Sequence, residues 1–202
     1  MIPNWIKWLF TGFMAVLVPV YWAYYGPTNF LYFCDASLFL ALFAIWAGNA
    51  LAASMAAVGL IIPQFFWCLD FGCELMGFHL THMTSYMFNE KSALFLRGLS
   101  LFHGWLPFLL LFLVFKLGYD RRALWAWTAL AVTLCLIAFF FLPPAGPGDP
   151  MLPRNVNYVF GTNDDLPQAY MDANVYLLVW ISLLFVVFYL PTHFLLRKFF
   201  TK

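Results

Sequence analysis

The sequence predicts an all-α fold, a polytopic transmembrane helix bundle of about six spans, and three observations predict it. Hydrophobic residues make up 64% of the 202 positions and charged residues only 9%. A soluble domain carries about 25% charged residues, so this chain could not cover a surface that faces water. Long apolar runs recur along the chain, and the charges between them are unequally distributed, as in proteins that cross a membrane several times.

The spans are predicted from apolar runs that, as helices, would cross a hydrocarbon core of about 30 Å. In chain order they are Trp5–Tyr24, Asn29–Trp46, Leu51–Phe71, Leu94–Phe115, Ala123–Leu142 and Met171–Leu196. We expect one bundle over residues 1–202 and no second domain. The first span resembles a signal peptide, but no small-x-small cleavage site follows it, so we expect it to be retained.

Two stretches have a distinctive composition. The third span begins in small residues, among them Ala52, Ala56 and Gly59, which let helix backbones approach closely and predict a central position. The connection Pro143–Gln168 holds six of the twelve prolines. Loops of this length are usually lids or disordered segments. The aromatic residues within it predict a lid that packs on the bundle.

Loop charges orient the bundle. With the N-terminus inside, seven of the ten Lys and Arg residues fall on the inner side, which follows the positive-inside rule and predicts cytoplasmic N- and C-termini. We therefore expect a multi-pass protein of the bacterial cytoplasmic (inner) membrane. The net charge of +1 and the lack of a basic cluster argue against a nucleic-acid partner. Membrane lipids are the expected partners, and other membrane subunits are the alternative.

The polar residues gather on the predicted outer side, which receives eight of the nine acidic residues and three of the four histidines. Ionisable groups at membrane depth are costly and mark functional sites. The embedded or interfacial set comprises Cys34, Asp35, Asp70, Cys73, Glu74, His79, His82, Arg97, Ser100, His103, Asp172 and Tyr176. One interpretation is structural: Arg97 pairs with Asp35, Asp70 or Glu74, and the ion pairs neutralise one another. A Cys34–Cys73 disulfide stays open.

Two chemical interpretations compete with that one. His79 and His82, with Asp70, Glu74 and His103, supply enough ligands for zinc or iron, although their spacing matches neither an HExxH nor an ExxH motif, and two of the histidines could ligate a haem. Alternatively, Cys34 attacks an ester carbonyl and His103 is its base, oriented by Asp35, Asp70 or Glu74. The sequence does not specify a cofactor.

Three segments resemble the YwaF-like integral membrane family: Phe33-Cys34-Asp35, Leu101-Phe102-His103-Gly104, and Asn155-x-Asn157-Tyr158 before the last span. Animal relatives of that family include a lipid acyltransferase thought to use a Cys and a His. The resemblance implies that Cys34 matches the cysteine, His103 the histidine, and Asn157-Tyr158 the Asn-Tyr loop motif. The Asp70/Glu74 pair departs from the family pattern.

Together these observations predict a six-helix membrane protein with an outer-leaflet polar cavity under a proline-rich lid. As an enzyme, it would transfer or cleave lipid acyl groups. Cys34 is the expected nucleophile, His103 the base, and Asp70 or Glu74 the residue that orients it. The expected substrate-binding residues are Arg97, Asn157, Tyr158 and Asp172. The alternatives are a non-enzymatic structural or binding subunit of a larger membrane complex, and a metal- or haem-binding membrane protein.

Overall fold

A computed structural model describes residues 2–78, 80–81, 83–89, 93–148 and 152–200. Throughout these ranges the regular structure is helical and no strand occurs, which confirms the all-α prediction. The helices are α1 (Asn4–Tyr25), α2 (Phe33–Ala47), α3 (Ala50–Leu75), α4 (Leu94–Ser100), α5 (Phe102–Leu117), α6 (Ala123–Phe141), α7 (Ala173–Leu183) and α8 (Leu190–Phe200). A π-helical segment, Leu184–Tyr189, joins α7 to α8.

Five helical segments are long and apolar enough to cross a membrane: α1, α3, α6, the pair α4–α5 over Leu94–Leu117, and the run from α7 to α8 over Ala173–Phe200. The protein is therefore described as a multi-pass membrane bundle. The sixth predicted span is different, because α2 has only 15 residues. At 1.5 Å per residue it extends about 22 Å, which is less than the roughly 30 Å of a hydrocarbon core.

The late start of α2 has a local cause. Gly26 adopts a positive φ of 77°, and Pro27 then opens a 3-10 turn, Pro27–Leu31, that replaces the first predicted turns of this span. The helix therefore begins at Phe33, four residues after the predicted start at Asn29. This leaves space above α2 that the neighbouring connections fill.

The third helix is the centre of the bundle. It packs against α2, α5, α6 and α8, and its small residues lie at these interfaces. Gly59 shows why: a Cβ atom at this position would lie 1.9 Å from the ring of Trp127 on α6. Only glycine permits this approach, so the small-residue pattern is explained by packing.

The two ends of the bundle are named here by their charges. The helix termini at the acidic end are Tyr25, Phe33, Leu75, Leu94, Phe141 and Ala173. Those at the basic end are Asn4, Ala47, Ala50, Leu117, Ala123 and Phe200. Contacts between neighbouring helices confirm that they run antiparallel. Trp46 donates a hydrogen bond to Thr11 near the basic end, at 2.9 Å, and Tyr21 and Ser100 share one near the acidic end, at 2.9 Å.

The proline-rich connection between α6 and α7 is folded against the bundle. Val156 and Val159 are fully buried, and the Phe160 ring stacks on Phe139 of α6 with centroids 4.9 Å apart. Trp180 of α7 donates a hydrogen bond to the Asn157 carbonyl at 2.9 Å. The segment thus forms a fixed cover over the start of α2.

Candidate functional site

The first turn of α2 carries a thiol and a carboxylate on adjacent residues. Asp35 is 3% exposed, and its Oδ2 accepts hydrogen bonds from the Asn29 amide at 3.2 Å and from the Cys34 thiol at 3.7 Å. Its other oxygen, Oδ1, is buried and has no partner among the described residues. A buried, unpaired carboxylate oxygen is costly and indicates a place where a ligand donor could bind.

The start of α2 is fixed by the covering segment. The Asn157 side chain accepts a hydrogen bond from the Phe33 amide at 3.0 Å and donates one to the Leu31 carbonyl at 3.0 Å. Tyr32, the N-cap residue, provides no side-chain cap. Within the described chain the backbone N–H groups of Cys34 and Asp35 have no backbone acceptor, and they donate toward the Cys34 sulfur instead.

Three tyrosines from three different connections lie within electrostatic reach of Cys34. Tyr32, Tyr86 and Tyr158 all lie close enough to the thiol for its charge to act on their phenols. Burial is the main cause that raises the pKa of the Tyr32 and Tyr158 phenols, and the negative charges of Asp164 and Cys34 add to it, whereas the Tyr86 side chain is 41% exposed. The phenols therefore stay protonated and can act as hydrogen-bond donors near neutral pH.

His103 lies on the other side of this region, on α5. Its Nδ1 is 2.7 Å from the Ser100 carbonyl, and a carbonyl can only accept, so Nδ1 carries the proton and Nε2 keeps its lone pair in the neutral ring. The imidazole is stacked between Phe102 and Trp67, with centroid distances of 4.1 and 4.8 Å. This stacking fixes the ring and leaves Nε2 as its basic atom.

The predicted Cys34–His103 pair is not in direct contact, since no hydrogen bond joins the two residues in the described parts of the chain. Tyr86 connects their surroundings. Its phenol lies near Cys34 and also near Trp67 and Ser100, the residues that hold His103. The group that does contact the thiol is Asp35.

Asp70 binds the connection that follows α3. Its carboxylate is 1% exposed and accepts four hydrogen bonds, from the backbone and hydroxyl groups of Thr81 and Thr84, at 2.7–2.9 Å. Glu74 accepts a hydrogen bond from Ser85 at 2.8 Å. These two carboxylates bind the connection after α3 to the end of that helix. The sequence analysis had instead predicted that one of them orients His103.

Arg97 does not form the predicted ion pair. It donates from Nη1 to the Met87 carbonyl at 3.1 Å, and in the described ranges no ion pair joins it to Asp35, Asp70 or Glu74. Its Nε is buried without a described partner. The side chain is therefore a cation with unused hydrogen-bonding capacity near the candidate site.

The remaining predicted residues are distributed as follows. Asp172 caps α7, since its Oδ1 accepts from the backbone of Asn174 and Val175 at 2.9 and 3.4 Å. The Tyr158 ring packs edge-on against Trp180. All four cysteines are free, so Cys34 and Cys73 are not bridged. Asp172 and the Asn157 side chain are thus occupied by bonds within the protein.

The two predicted metal ligands His79 and His82 lie outside the described residues. Among the residues that are described, no group of three or more His, Cys, Asp or Glu side chains is arranged to hold a metal ion. An open apolar groove of about 430 Å³ runs along the last span, lined by Leu178, Val179, Ser182, Leu183, Val186 and Val187. None of these residues belongs to the polar cluster around Cys34.

The sequence analysis missed three members of this cluster, Asn29, Tyr32 and Tyr86. Asn29 and Tyr32 were assigned to a continuous helix, where their side chains would face different directions. The Gly26-Pro27 pair is a turn signal that could have placed them in a connection above α2. Tyr86 carries no local signal, because its position depends on the fold of the segment after α3.

A scan against protein-family models, a search of curated proteins and a search of solved structures each found no match to this chain.

Proposed function

We propose that this membrane protein transfers or hydrolyses acyl groups of membrane lipids, with Cys34 as its nucleophile. The observation that carries the proposal is the arrangement at the start of α2. A half-buried thiol contacts the carboxylate of Asp35, the backbone N–H groups of Cys34 and Asp35 lie beside it, and three tyrosines are near enough to interact with it electrostatically. Burial and the adjacent carboxylate disfavour a free thiolate at Cys34, so the thiol has to pass its proton to a base as the sulfur attacks.

The excess of Lys and Arg at the basic end supports an orientation with that end in the cytoplasm. The acidic end, with Cys34, then belongs to the outer leaflet of a bacterial cytoplasmic membrane. Cys34 lies in the first turn of α2 at this end, under the covering segment that Asn157 ties to the start of the helix. A lipid ester near the glycerol backbone would meet the thiol at that depth.

In the first step the Cys34 proton moves to Asp35 Oδ2, the atom it already contacts. The sulfur attacks the ester carbonyl, and the carbonyl oxygen becomes negatively charged. The backbone N–H groups of Cys34 and Asp35 lie next to the sulfur and would donate to this oxyanion once the sulfur has bonded to the carbonyl carbon. Donors fixed before the reaction are worth about 100- to 1,000-fold in rate for each one that is removed.

When the tetrahedral intermediate collapses, the carbon–oxygen bond of the ester breaks. The leaving alkoxide takes the proton back from Asp35 and departs as the lysolipid, and the acyl group remains on Cys34 as a thioester. A second alcohol then gives up its proton and attacks the thioester, the carbon–sulfur bond breaks, and the departing thiolate takes up a proton, which gives a new ester and restores the thiol. Water in place of that alcohol makes the protein an esterase.

Two further residues have roles in this proposal. His103 keeps the unprotonated Nε2 and would serve as the base for the incoming alcohol. Arg97 has an unpartnered Nε and would hold the lipid phosphate, which guanidinium groups bind well. Asn157 acts through position, because it fixes the backbone at Leu31 and Phe33 directly before the thiol.

The experiment is acyl trapping on the purified full chain. The protein is incubated with vesicles of phosphatidylethanolamine and phosphatidylglycerol that carry an alkyne-tagged acyl chain. A label on the protein that hydroxylamine removes identifies a thioester. We expect this label on the wild type, none on Cys34→Ala, and an undiminished label on Cys73→Ala, the matched control at the same end of the bundle. An unlabelled wild type, or an equal label on Cys34→Ala, would overturn the proposal.

A non-enzymatic binding subunit is the alternative, and the apolar groove along the last span is the observation that favours it. The groove offers a helix of another membrane protein a surface without charges. Purification in a mild detergent separates the two functions: a second polypeptide at fixed stoichiometry, together with an unlabelled Cys34, would support the subunit.

A further inference from the structure

The turn between α5 and α6, at the basic end, is held rigidly to two helices. The Tyr119 amide donates to the Phe200 carbonyl at 3.1 Å, and the Tyr119 hydroxyl is 2.6 Å from His193 Nδ1 on α8. The Asp120 amide donates to Ser54 on α3 at 3.0 Å. The positions of the charged residues in this turn are therefore fixed relative to the last helix.

His193 is part of this anchor. The side chain is only 7% exposed and its ring contacts Tyr119, so it does not face lipid headgroups. Burial raises the pKa of the Tyr119 phenol, and negative charge on Asp120 adds to it, so the hydroxyl keeps its proton. The pair joins the turn to α8 without carrying charge to the surface.

Two exposed guanidinium groups converge beside this anchor. Arg121 follows it in the turn, Arg197 lies one turn after His193, and both are near enough to His193 to act electrostatically on its ring. The single carboxylate of the described chain at this end is Asp120. It is already bound by Arg122, with Nη2 and Oδ2 2.7 Å apart, and these hydrogen bonds hold the pKa of Asp120 below its ordinary value.

The dipole of α6 does not explain the position of Arg121. Cations are favoured at helix C-termini, which accounts for Arg197 and Lys198 at the end of α8. Arg121, however, precedes the N-terminus of α6, where the helix dipole opposes a positive charge, and the first turn of α6 has no acidic residue. Arg121 and Arg197 therefore place two positive charges close to His193, and the carboxylate of Asp120 is already bound by Arg122.

The surroundings identify the kind of anion. Trp125, Phe194 and Phe199 are exposed apolar residues next to the arginines along α6 and α8. Such rings lie at the boundary of the hydrocarbon core, so the guanidinium groups are placed at headgroup level. We propose that Arg121 and Arg197 form a binding site for the phosphate of an anionic phospholipid at the basic end, separate from the acyl-transfer site.

The test is lipid binding by the purified full chain in detergent, measured by native mass spectrometry with phosphatidylglycerol and phosphatidylcholine as probes. We expect the wild type to prefer phosphatidylglycerol. Arg121→Gln and Arg197→Gln should each lower that affinity about fivefold, the equivalent of about 1 kcal/mol per cation. Lys7→Gln removes the same charge at the same end, away from the pair, and should have a much smaller effect. Arg197→Lys should keep most of the affinity.

Several results would overturn the site. These are equal binding of the two lipids, a loss in Lys7→Gln as large as in Arg121→Gln, or a loss in Arg197→Lys as large as in Arg197→Gln. Displacement of the lipid by soluble glycerol phosphate at similar concentration would show that the ligand is a free phosphate ester. None of these outcomes depends on Cys34, so they are independent of the acyl-trapping result.

Discussion

Two aspartates at the acidic end are almost equally buried and are bound in opposite ways. Asp70 is 1% exposed and Asp35 is 3% exposed. Asp70 accepts four hydrogen bonds that occupy both carboxylate oxygens. Asp35 accepts two, both on Oδ2, and leaves Oδ1 buried without a described partner. Burial alone therefore does not separate a structural carboxylate from a functional one.

The difference lies in what surrounds each group. The partners of Asp70 are two threonines of the connection after α3. Each threonine donates from its backbone N–H and its hydroxyl to one oxygen of the Asp70 carboxylate. The partners of Asp35 are an amide and a thiol, and a thiol is a weak donor. Asp70 is complete within the protein, whereas Asp35 keeps an acceptor for another molecule.

The comparison is tested by four substitutions, ranked by their expected effect on the free energy of unfolding. Asp70→Ala should have the largest effect, a loss of about 3 kcal/mol or more, because hydrogen bonds to charged groups are strong and buried donors would be left unpaired. Thermal and denaturant unfolding in detergent measure it. A loss below about 1 kcal/mol would show that the four bonds do not hold the connection to α3.

Asn157→Ala should be second, with a loss of about 2 kcal/mol, since it removes two hydrogen bonds and leaves the Phe33 amide and the Leu31 carbonyl without them. It should also weaken acyl labelling of Cys34, because the start of α2 is no longer fixed. Asn155→Ala is the control, since its side chain organises the same segment internally through Phe160 and Gly161. Equal labelling in wild type and Asn157→Ala at matched folding would contradict a positioning role.

Asp35→Asn should change stability by about 1 kcal/mol or less, since the amide keeps a similar shape and the unpaired charge is removed. Its effect on acyl labelling should be large, about 100-fold or more, because the proton acceptor for the thiol is lost. Asp70→Asn is the matched control and should show the reverse pattern, with lower stability and unchanged labelling per folded molecule. If both variants behaved alike, the distinction between the two carboxylates would fail.

The sequence was sufficient to predict the helices, but it was not sufficient to predict how Asp35 and Asp70 are bonded. Spans follow from local apolar runs, so the bundle could be predicted from residues that are neighbours in the chain. Asp35 and Asp70 look alike in sequence, since each is an acidic residue near the acidic end of an apolar helix. The partners of Asp70 lie 11 and 14 positions away, and Asn157 lies 124 positions from Phe33. These pairings depend on how the connections fold over the helix ends.

The same reason explains the Cys34–His103 prediction. A cysteine and a histidine at the same depth are natural candidates for a pair, but depth along a helix does not give direction around it. In the structure His103 is held by Ser100 and stacked on Trp67, while Cys34 faces Asp35 and Tyr86. The resemblance to the YwaF-like family stays a prediction. The sequence analysis named Asp35 as a residue that could orient His103, and in the structure its carboxylate contacts the thiol instead.

Asp172 extends the comparison to an exposed carboxylate, and Asp172→Asn should have the smallest effect of the four substitutions on the free energy of unfolding. The backbone N–H of Asn174, the Asn174 side chain and the Val175 N–H hold the pKa of Asp172 below its ordinary value. For an acid with a lowered pKa, the stabilisation is present above the ordinary pKa and is lost as the pH falls through the lowered value. The melting temperature of the wild type should therefore fall with acid slightly more steeply than that of Asp172→Asn. Parallel pH curves would mean that the charge of Asp172 does not stabilise the protein through the cap of α7. Of the three aspartates, only the two buried ones would then contribute to the free energy of unfolding.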